Sequence, residues 1–380
     1  MYDLIVLGLG AMGSATAYHA ALGGQRVLGL DAFERNHNKG SSHGHSRIIR
    51  ESYAEGPQYV PLVQRAYTLW HDLEVASGRP LLTMTGGLYI GTPESEIVTG
   101  VLRSAREHNL PYDYLSAVEV TSRFPGFRPP DEMVGVYEER GGVLDAEACV
   151  GAHLDMASRH GAELHHNEPV LRWSGAGDGV RVETATATYS AASLVITAGS
   201  WTNEVLAGLS LPLTVWRVYN AFFEPSGSDF EVGRCPFYLL EVPEGTYYGL
   251  PNLPGQGLKA GRHDNGEVST PATARRTVDA AEVEGLRSVL EHYMPGAASD
   301  LKATSTCIYT MTPDEDFIID RHPQYPQVVY ASACSGHGFK FSAAIGEVLA
   351  AMAQGGPTPS LISPFSAGRF TVTAPGAPPL

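Results

Sequence analysis

The sequence predicts an α/β (α+β) fold, in which a discontinuous Rossmann-type nucleotide-binding domain is joined to a second, β-rich domain. Two observations predict it. Residues 2–31 contain a strand, a glycine-rich turn, a helix and a second strand, which is the order of a dinucleotide-binding βαβ unit. Similar signals return near residues 165–200 and 328–353, and two stretches rich in β-forming residues separate them. A nucleotide domain interrupted twice by a second domain explains this alternation.

The N-terminal unit begins with an apolar run at residues 2–7, which predicts a buried parallel strand. Gly8 permits a tight turn, Gly10 lets the backbone approach a pyrophosphate, and Gly13 lets the helix pack closely on the strand. Free N–H groups at the start of the helix attract phosphates. The second strand ends at Asp31, whose carboxylate is expected to accept hydrogen bonds from a ribose. A glycine turn alone is weak evidence, but the flanking strands, helix and acid favour dinucleotide binding.

The remaining elements follow from composition and periodicity. Residues 36–47 are polar and rich in small residues, which predicts a loop. Apolar side chains at three- and four-residue steps predict a helix from about Tyr59 to Ser77. Residues 83–90 predict a strand, and 212–312 predict a mostly antiparallel sheet. Further helices are predicted at 94–107, 146–160, 280–293 and 342–353, and further strands near 163–164, 170–173, 180–182, 194–199 and 328–333.

The predicted domains follow from these elements. The nucleotide-binding domain comprises residues 1–85, 146–211 and 313–370. The β-rich domain comprises residues 86–145 and 212–312, and residues 371–380 are expected to form a loose tail.

Composition narrows the classes of partner. A net charge of −15 argues against nucleic acid and anionic membranes, so an anionic ligand needs a local cluster of Lys and Arg. Four scattered cysteines do not form a disulfide framework and suit a reducing compartment. No apolar run is long enough to span a membrane, and a strand that begins at residue 2 leaves no room for a cleavable signal. We therefore expect a cytoplasmic protein.

Further stretches contain chemically specific residues: SSHGHSRIIR at 41–50, YYG at 247–249, GLKAGRH at 257–263, TCIYT at 306–310, PDEDFIID at 313–320 and SGHGFKF at 335–341. With the N-terminal unit they closely resemble the monomeric sarcosine oxidase family, which includes N-methyltryptophan and pipecolate oxidases of the D-amino acid oxidase-like class. The resemblance covers residues 1 to about 370. It implies an FAD-binding domain, a substrate-binding (catalytic) domain, and oxidation of a secondary amino acid by O₂. The imine product hydrolyses, and H₂O₂ is released.

The resemblance also implies roles for individual residues. Cys307 would hold the flavin through a thioether to its 8-methyl carbon, and Arg47 would lie against the flavin ring. Arg50 and Lys340 would bind the substrate carboxylate, and Lys259 would promote the reaction with O₂. Other implied residues that line the substrate site are Tyr248, His263 and Tyr309. The implied cofactor-binding residues are Gly8, Gly10, Gly13, Asp31, Ser41, Ser42, His43, Arg47, Val170, Cys307, Gly336, Gly338 and Lys340.

Each of these residues also has an ordinary interpretation. A single cysteine is more often an inert buried residue. An arginine or lysine is more often a solvated or paired surface cation, although Lys340 lies in an aromatic-flanked glycine loop just before a predicted helix. For Lys259, a strand-end lysine in water and a cation that stabilises developing negative charge are equally plausible without the resemblance. His43 and His45 lack neighbouring ligands that would complete a metal site, and we expect no metal. His45 stands where relatives usually have an acid.

The expected activity is oxidation of sarcosine to glycine and formaldehyde by a monomeric enzyme. No strong general base is obvious, so we expect nearby cations to lower the pKa of the bound amine. Within the class, the alternatives are bulkier or cyclic secondary amino acids, namely N-methyl-L-tryptophan, L-pipecolate and L-proline. From another class, the alternative is a non-catalytic flavin-binding subunit of a larger complex. The joint presence of Arg50, Lys259 and Lys340 argues against that subunit. An NAD-dependent dehydrogenase would not need the 306–310 and 335–341 stretches.

Overall fold

The structure is a computed structural model that describes residues 1–370, and the predicted loose tail at 371–380 lies outside the described residues. The α-helices are α1 (Ala11–Leu22), α2 (Val60–Ser77), α3 (Glu96–Glu107), α4 (Ala117–Arg123), α5 (Ala146–Arg159), α6 (Thr202–Val205), α7 (Ala280–Tyr293) and α8 (Ser342–Ala353). The strands are β1 (Tyr2–Leu7), β2 (Val27–Leu30), β3 (Ser46–Ile49), β4 (Leu82–Met84), β5 (Gly87–Gly91), β6 (Asp113–Ser116), β7 (Val134–Glu138), β8 (Gly142–Asp145), β9 (Glu163–His165), β10 (Val170–Ala176), β11 (Gly179–Thr184), β12 (Thr188–Ile196), β13 (Thr214–Glu224), β14 (Phe237–Val242), β15 (Gly245–Leu253), β16 (Gly257–Arg262), β17 (Glu267–Ser269), β18 (Asp300–Met311), β19 (Ile318–Arg321) and β20 (Val328–Ser332).

The first sheet contains the predicted βαβ unit. Its strands run in the order β10-β11-β12-β1-β2-β9, with β20 beside β12 and β19 beside β20. Strand β1 pairs in parallel with both β2 and β12, and its last four residues are buried. Because the carboxyl ends of parallel strands meet at one edge, the loop after β1, the end of β2 and the end of β12 lie together. The N-terminus of α1 lies at this edge.

The second sheet is mostly antiparallel, as the β-forming residues at 212–312 predict. Its order is β17-β13-β16-β15-β14-β5-β7-β6, and β18 pairs with β13 along almost its whole length. Strands β14 and β5 pair in parallel, which joins the two parts of the chain that build this sheet. Strands β15, β16 and β18 bring Tyr248, Lys259 and Cys307 to the same region. The predicted domain boundaries remain a prediction.

The single strand predicted at 83–90 is wrong. The structure has two strands there: β4 belongs to a small sheet with β3 and β8, and β5 belongs to the second sheet. Gly86 between them has φ of +70°, a left-handed conformation that ends strand geometry. A Cβ at this position would also lie 2.5 Å from the Tyr137 hydroxyl. The glycine therefore lets the chain pass from one sheet to the other.

Helices α1, α5, α2 and α8 cover the first sheet and form its largest core. Helix α8 approaches α1 closely because Gly346 has no side chain, and a Cβ there would lie 2.4 Å from the Ala15 Cβ. Trp70 of α2 is buried, and its ring N–H donates to the Lys340 carbonyl at 2.9 Å. This bond fixes the turn at Phe339–Phe341 that precedes α8. No helix within residues 1–370 is long and apolar enough to cross a membrane.

Candidate active site

One cavity of about 1150 Å³ extends from the glycine-rich edge of the first sheet to the face of the second sheet. Asp31 lines it at the end of β2, and Lys340 lines it beside α8. All but one of the residues that the sequence placed in the site line this cavity. The exception is Gly13. A Cβ at Gly13 would lie 1.7 Å from the Gly8 carbonyl oxygen, so this glycine serves packing between α1 and the turn.

The turn after β1 has the backbone geometry of a phosphate cradle. Gly8 has φ of +90°, and a Cβ there would lie 2.5 Å from the Thr197 carbonyl. Gly10 precedes α1 and supplies no side-chain cap, so the N–H groups of the first turn lack the usual partner. The Ser42 hydroxyl accepts the Ala11 N–H at 2.9 Å. The helix therefore presents N–H groups and its positive dipole end to the cavity.

Asp31 lies where the sequence placed it, at the cavity wall after β2. One carboxylate oxygen accepts the Leu9 N–H at 2.8 Å, and the other accepts the Phe33 N–H at 2.9 Å. Since a carboxylate has about four acceptor sites, two such bonds leave capacity for a ligand hydroxyl. Val170, at the start of β10, also lines the cavity.

The polar loop at 36–47 lies over the cavity. Arg47 fixes it from within, because its guanidinium donates to the carbonyls of Ser41, His43 and Ser46 at 3.0, 2.6 and 2.8 Å. The Ser41 hydroxyl donates to the Ile308 carbonyl at 2.6 Å and so attaches the loop to β18.

His43 and His45 have different environments in this loop. His43 is partly buried, its Nε2 has no partner among the described residues, and burial lowers its pKa to about 4. The His45 side chain is 61% exposed and lies 4.0 Å from a Glu147 oxygen. Glu147 also accepts the Gly44 N–H at 2.9 Å. A carboxylate therefore lies beside His45, and it belongs to Glu147 of α5. Residues 1–370 contain no group of three or more His, Cys, Asp or Glu side chains that could hold a metal ion.

Cys307 on β18 lies beneath this loop. Its side chain lies on the same side of the strand as Tyr309, since residues two apart share a face. The sulfur lies 3.9 Å from the Arg47 guanidinium and 3.9 Å from the Ser41 carbonyl. The residue is 9% exposed, and that exposed fraction faces the cavity. The thiol is thus free, next to a cation and accessible to a ligand.

Lys259 is not a strand-end lysine in water. It lies within β16 and is buried at 6% exposure. Its ammonium donates to the Ser46 carbonyl at 3.1 Å, and no acidic side chain within residues 1–370 pairs with it. Burial, and then the neighbouring Arg47, lower the pKa of Lys259 to about 7. The site therefore holds a desolvated cation beside a second cation.

Arg50 is buried and already has an anionic partner. Its guanidinium donates to both oxygens of Glu55, at 2.5 and 2.6 Å, and lies 4.1 Å from the centre of the Tyr53 ring. Burial alone would raise the pKa of Glu55, but Arg50 holds it below its usual range. The other terminal nitrogen of Arg50, Nη1, is buried without a partner among the described residues. Sequence reasoning missed Glu55, because an acid in an irregular loop gives no periodic signal.

Lys340 is buried beside this pair and has an ordered set of partners. Its ammonium donates to the His337 carbonyl at 2.7 Å and to the Tyr53 hydroxyl at 3.1 Å. His337 Nε2 lies 3.2 Å from the Glu315 carbonyl, so Nε2 has the proton, and Nδ1 accepts the Tyr53 hydroxyl at 2.7 Å. Burial lowers the pKa of His337 to about 3, which keeps the ring neutral. Burial, and then the neighbouring Arg50, lower the pKa of Lys340. In its ammonium form, two of its three donors are occupied and one is available to a ligand.

Aromatic side chains form the wall between the two groups of cations. The rings of Tyr248 and Tyr309 lie 6.3 and 5.8 Å from that of His263. A Cβ on Gly336 would lie 2.7 Å from the His263 ring, so only glycine lets the 335–341 loop come this close. Burial lowers the pKa of His263, and its ring is neutral at neutral pH.

Tyr248 has a buried partner that sequence reasoning missed. Its hydroxyl donates to the Asn220 side-chain oxygen at 2.6 Å. Asn220 is buried on β13 and lines the cavity. A single asparagine inside a β-rich stretch gives no sequence signal for this role.

Comparison with known proteins identifies the family. Residues 3–352 match the DAO family, described as FAD dependent oxidoreductase. The chain belongs to this family of FAD-dependent oxidoreductases. Monomeric sarcosine oxidase of Streptomyces avermitilis is 43% identical over 375 residues, which cover 97% of this chain and 98% of that protein. N-methyl-L-tryptophan oxidase of Yersinia pestis (strain Pestoides F) is 38% identical over 372 residues, which cover 97% of this chain and 99% of that protein. The family predicted from the sequence is confirmed.

Solved structures of the DAO type share the fold. NikD, an unusual amino acid oxidase essential for nikkomycin biosynthesis, matches in its open form with a TM-score of 0.84 and 27% identity over 96% of this chain and 97% of that one. Glycine oxidase of Geobacillus kaustophilus matches with a TM-score of 0.82 over 97% and 99%, and at 20% identity it is a likeness of fold alone. The α/β fold class predicted from the sequence is confirmed.

The residues that line the cavity fit the FAD of this family. The glycine cradle and the uncapped start of α1 suit a pyrophosphate, and Asp31 suits a ribose. The cavity wall also contains buried polar atoms that have no partner within residues 1–370, on His43, Ser46 and Arg50. Such orphaned atoms are costly unless a ligand satisfies them. The described side chains and the cofactor of the family are therefore chemically compatible.

Proposed function

We propose that this chain is an FAD-dependent oxidase of secondary amino acids, with sarcosine as its leading substrate. The products are glycine, formaldehyde and H₂O₂, from sarcosine, O₂ and H₂O. The observation that supports the proposal best is that one cavity joins a nucleotide cradle to the buried cations Arg50 and Lys340. In a chain of net charge −15, such a cationic pocket is the place for a small carboxylate. The monomeric sarcosine oxidases at 39–43% identity support the same substrate.

The residues of the chain have separate roles in the proposed reaction. When bound, FAD supplies two-electron oxidation of the amine and delivers the electrons to O₂. The free Nη1 of Arg50 and the free donor of Lys340 bind the substrate carboxylate. Neutral His263 and the rings of Tyr248 and Tyr309 enclose the amine. The same cations favour the uncharged amine, whose lone pair the oxidation requires.

Neither Glu55 nor His337 acts as a strong base. Glu55 is paired with Arg50, which stabilises its ionised form and makes it a weak proton acceptor. His337 uses both ring nitrogens in hydrogen bonds. The amine therefore loses its proton because its own pKa falls in the cationic pocket. Lys259 and Arg47 form a separate group of cations, and their positive charge stabilises an anion that develops as O₂ is reduced.

We also propose that Cys307 holds FAD covalently through a thioether. The support is the accessible sulfur, which lies on the cavity wall 3.9 Å from the Arg47 guanidinium. Wild-type protein precipitated with acid and washed should stay yellow, and Cys307→Ser should release its flavin. Cys334→Ser, at a second cysteine on the cavity wall, is the matched control and should stay yellow. Wild-type flavin in the supernatant would contradict the covalent bond.

The activity itself is tested with purified holoenzyme. Sarcosine should reduce the flavin without O₂, and turnover in air should release H₂O₂ in equal amount to formaldehyde. A protein that binds FAD but reacts with no N-methyl amino acid would be the non-catalytic subunit of the alternative hypothesis. The N-methyl-L-tryptophan oxidases at 38% identity favour a second substrate, so N-methyl-L-tryptophan, L-pipecolate and L-proline are compared in the same assay.

The remaining proposals concern assembly, location and domains. We propose a monomer, which the name of the sarcosine oxidase relatives supports. The free thiols support a reducing, cytoplasmic location. The two large sheets, whose strands come from different parts of the chain, support the proposed FAD-binding and substrate-binding domains.

A further inference from the structure

A second buried acid, Glu138, lies close to Arg50 but does not line the cavity. Glu138 is the last residue of β7 and is 2% exposed. One carboxylate oxygen accepts the Ser52 N–H at 2.7 Å. The other accepts the Tyr89 hydroxyl at 2.5 Å and the Glu51 N–H at 3.3 Å. All three partners donate hydrogen bonds to the side chain, and both of its oxygens accept.

The segment that Glu138 holds is the one that presents the cationic pocket. Residues 50–55 lie between β3 and α2 and have no helix or strand hydrogen bonds of their own. The second sheet, through Glu138, and α3 hold this segment. The Ser104 hydroxyl donates to the Tyr53 carbonyl at 2.5 Å, and Gly100 lets α3 approach the Ala54 carbonyl, to which a Cβ would lie at 2.2 Å. The direction of the Arg50 side chain therefore depends on these attachments.

We propose that Glu138 is a positioning residue that orients Arg50 toward the substrate carboxylate, by fixing the two peptide groups that follow Arg50. Two adjacent N–H groups that point to one carboxylate define the orientation of both peptide planes. A buried carboxylate is costly unless such donors surround it, so its presence here needs a compensating role. Burial raises the pKa of Glu138 to about 7, and the hydrogen bonds from Tyr89 and Ser52 and the charge of Arg50 oppose that rise. In its ionised form the carboxylate favours the charged arginine. The inference rests on the proposed function, which assigns the carboxylate to Arg50.

The test measures binding and chemistry separately in the holoenzyme. Acetate is titrated against the oxidised enzyme and followed by flavin absorbance, and sarcosine and dimethylamine are compared in anaerobic flavin reduction. Glu138→Gln keeps the shape but turns an NH₂ toward donors. We expect it to weaken binding of acetate and sarcosine by about tenfold, the lower range of a hydrogen bond to a charged group. The limiting rate with sarcosine and the reaction with dimethylamine should change by less than about twofold.

Two further variants make the result decisive. Tyr89→Phe removes one donor to the same carboxylate and should weaken acetate binding in the same direction, by about threefold. It replaces Glu138→Gln as the deciding variant if that protein does not fold. Glu139→Gln, at the exposed neighbouring acid, is the matched control for charge and should bind acetate like wild type.

Unchanged acetate binding in Glu138→Gln, or equal losses for sarcosine and dimethylamine, would overturn the inference. Failure of the proposed function is seen separately. If wild type binds acetate but does not oxidise sarcosine, the substrate assignment is wrong, and the acetate titrations of the variants still decide the role of Glu138.

Discussion

The two ends of the cavity hold their buried cations in opposite ways. At the end formed by Arg47, Lys259 and Cys307, the cations donate to main-chain carbonyls, and no acidic side chain within residues 1–370 pairs with either. At the other end, formed by Arg50, Glu55 and Lys340, a carboxylate already accepts two hydrogen bonds from the guanidinium. We refer to these as the Lys259 end and the Arg50 end.

The difference shows which kind of negative charge each end can receive. Carbonyl dipoles hold a cation in place without neutralising it, so the Lys259 end keeps its attraction for an anion that develops nearby. The depressed pKa of Lys259, about 7, reflects the cost of burying a cation without a counter-charge. At the Arg50 end Glu55 provides that counter-charge. An incoming carboxylate must therefore share Arg50 with Glu55 or replace it.

The largest effect is expected at the Lys259 end. Lys259→Met should slow the reaction of reduced enzyme with O₂ by ~10²–10³, the scale of losing one electrostatic donor, and should leave anaerobic reduction by substrate nearly intact. Stopped-flow measurement of the two half-reactions checks this. Lys302→Met is the matched control, since Lys302 also lines the cavity but is paired with Glu224 at 3.1 Å. Equal slowing of both half-reactions would place Lys259 in substrate binding.

The pH dependence of the O₂ reaction sharpens the same prediction. The ammonium form of Lys259 dominates below its pKa of about 7, and a negative charge bound nearby raises that pKa. Because the cation is the active form, the wild-type O₂ reaction should slow as the pH rises past this value. Lys259→Met should lose that step in the pH profile. A wild-type step retained in the variant would assign the titration to another group.

The next effect is expected at the Arg50 end. Arg50→Ala should weaken binding of the substrate carboxylate by ~10²-fold or more, since a bidentate arginine contact in a desolvated pocket is lost. Flavin reduction by N-methyl amino acids and by matching amines without the carboxylate checks this, because the preference for the acid should largely vanish. Arg262→Ala, at a surface arginine paired with Asp264, is the control. A variant that keeps the wild-type preference would mean that the carboxylate binds elsewhere.

The sequence predicts the first sheet well, because its signals are local. The glycines of the 8–13 turn, the strand that ends at Asp31 and the capping Asp145 before α5 each act through neighbouring residues. The split of the predicted 83–90 strand was missed because it depends on Gly86, whose conformation matters only beside Tyr137 from another strand. Local pattern therefore specifies elements, and contacts distant in sequence specify where an element is broken.

The residues of the candidate site also differ in whether a local sequence pattern predicts them. Short motifs mark Cys307, Lys340 and Arg50, and the structure brings all three to one cavity. The acids that set the behaviour of Arg50, namely Glu55 and Glu138, follow no periodic pattern. Glu55 lies in an irregular segment, and Glu138 is 88 positions from Arg50, at the end of a strand in another sheet. Counter-charges of this kind can be found only once the fold has brought them together.

The smallest effect is expected for Glu55. It tests whether this carboxylate competes with a ligand for Arg50 or orients the Arg50 guanidinium. Glu55→Gln keeps the shape of the side chain and removes the charge that competes with a ligand carboxylate, so acetate should bind about tenfold more tightly. Because Arg50 holds the pKa of Glu55 below its usual range, Glu55 stays ionised at neutral pH, and the gain should be the same between about pH 6 and pH 8. Titration of flavin absorbance with acetate checks both statements, with the exposed Glu139→Gln as control. Weaker acetate binding in Glu55→Gln would show that Glu55 mainly orients the guanidinium, and the contrast between the two ends would then be one of geometry instead of charge.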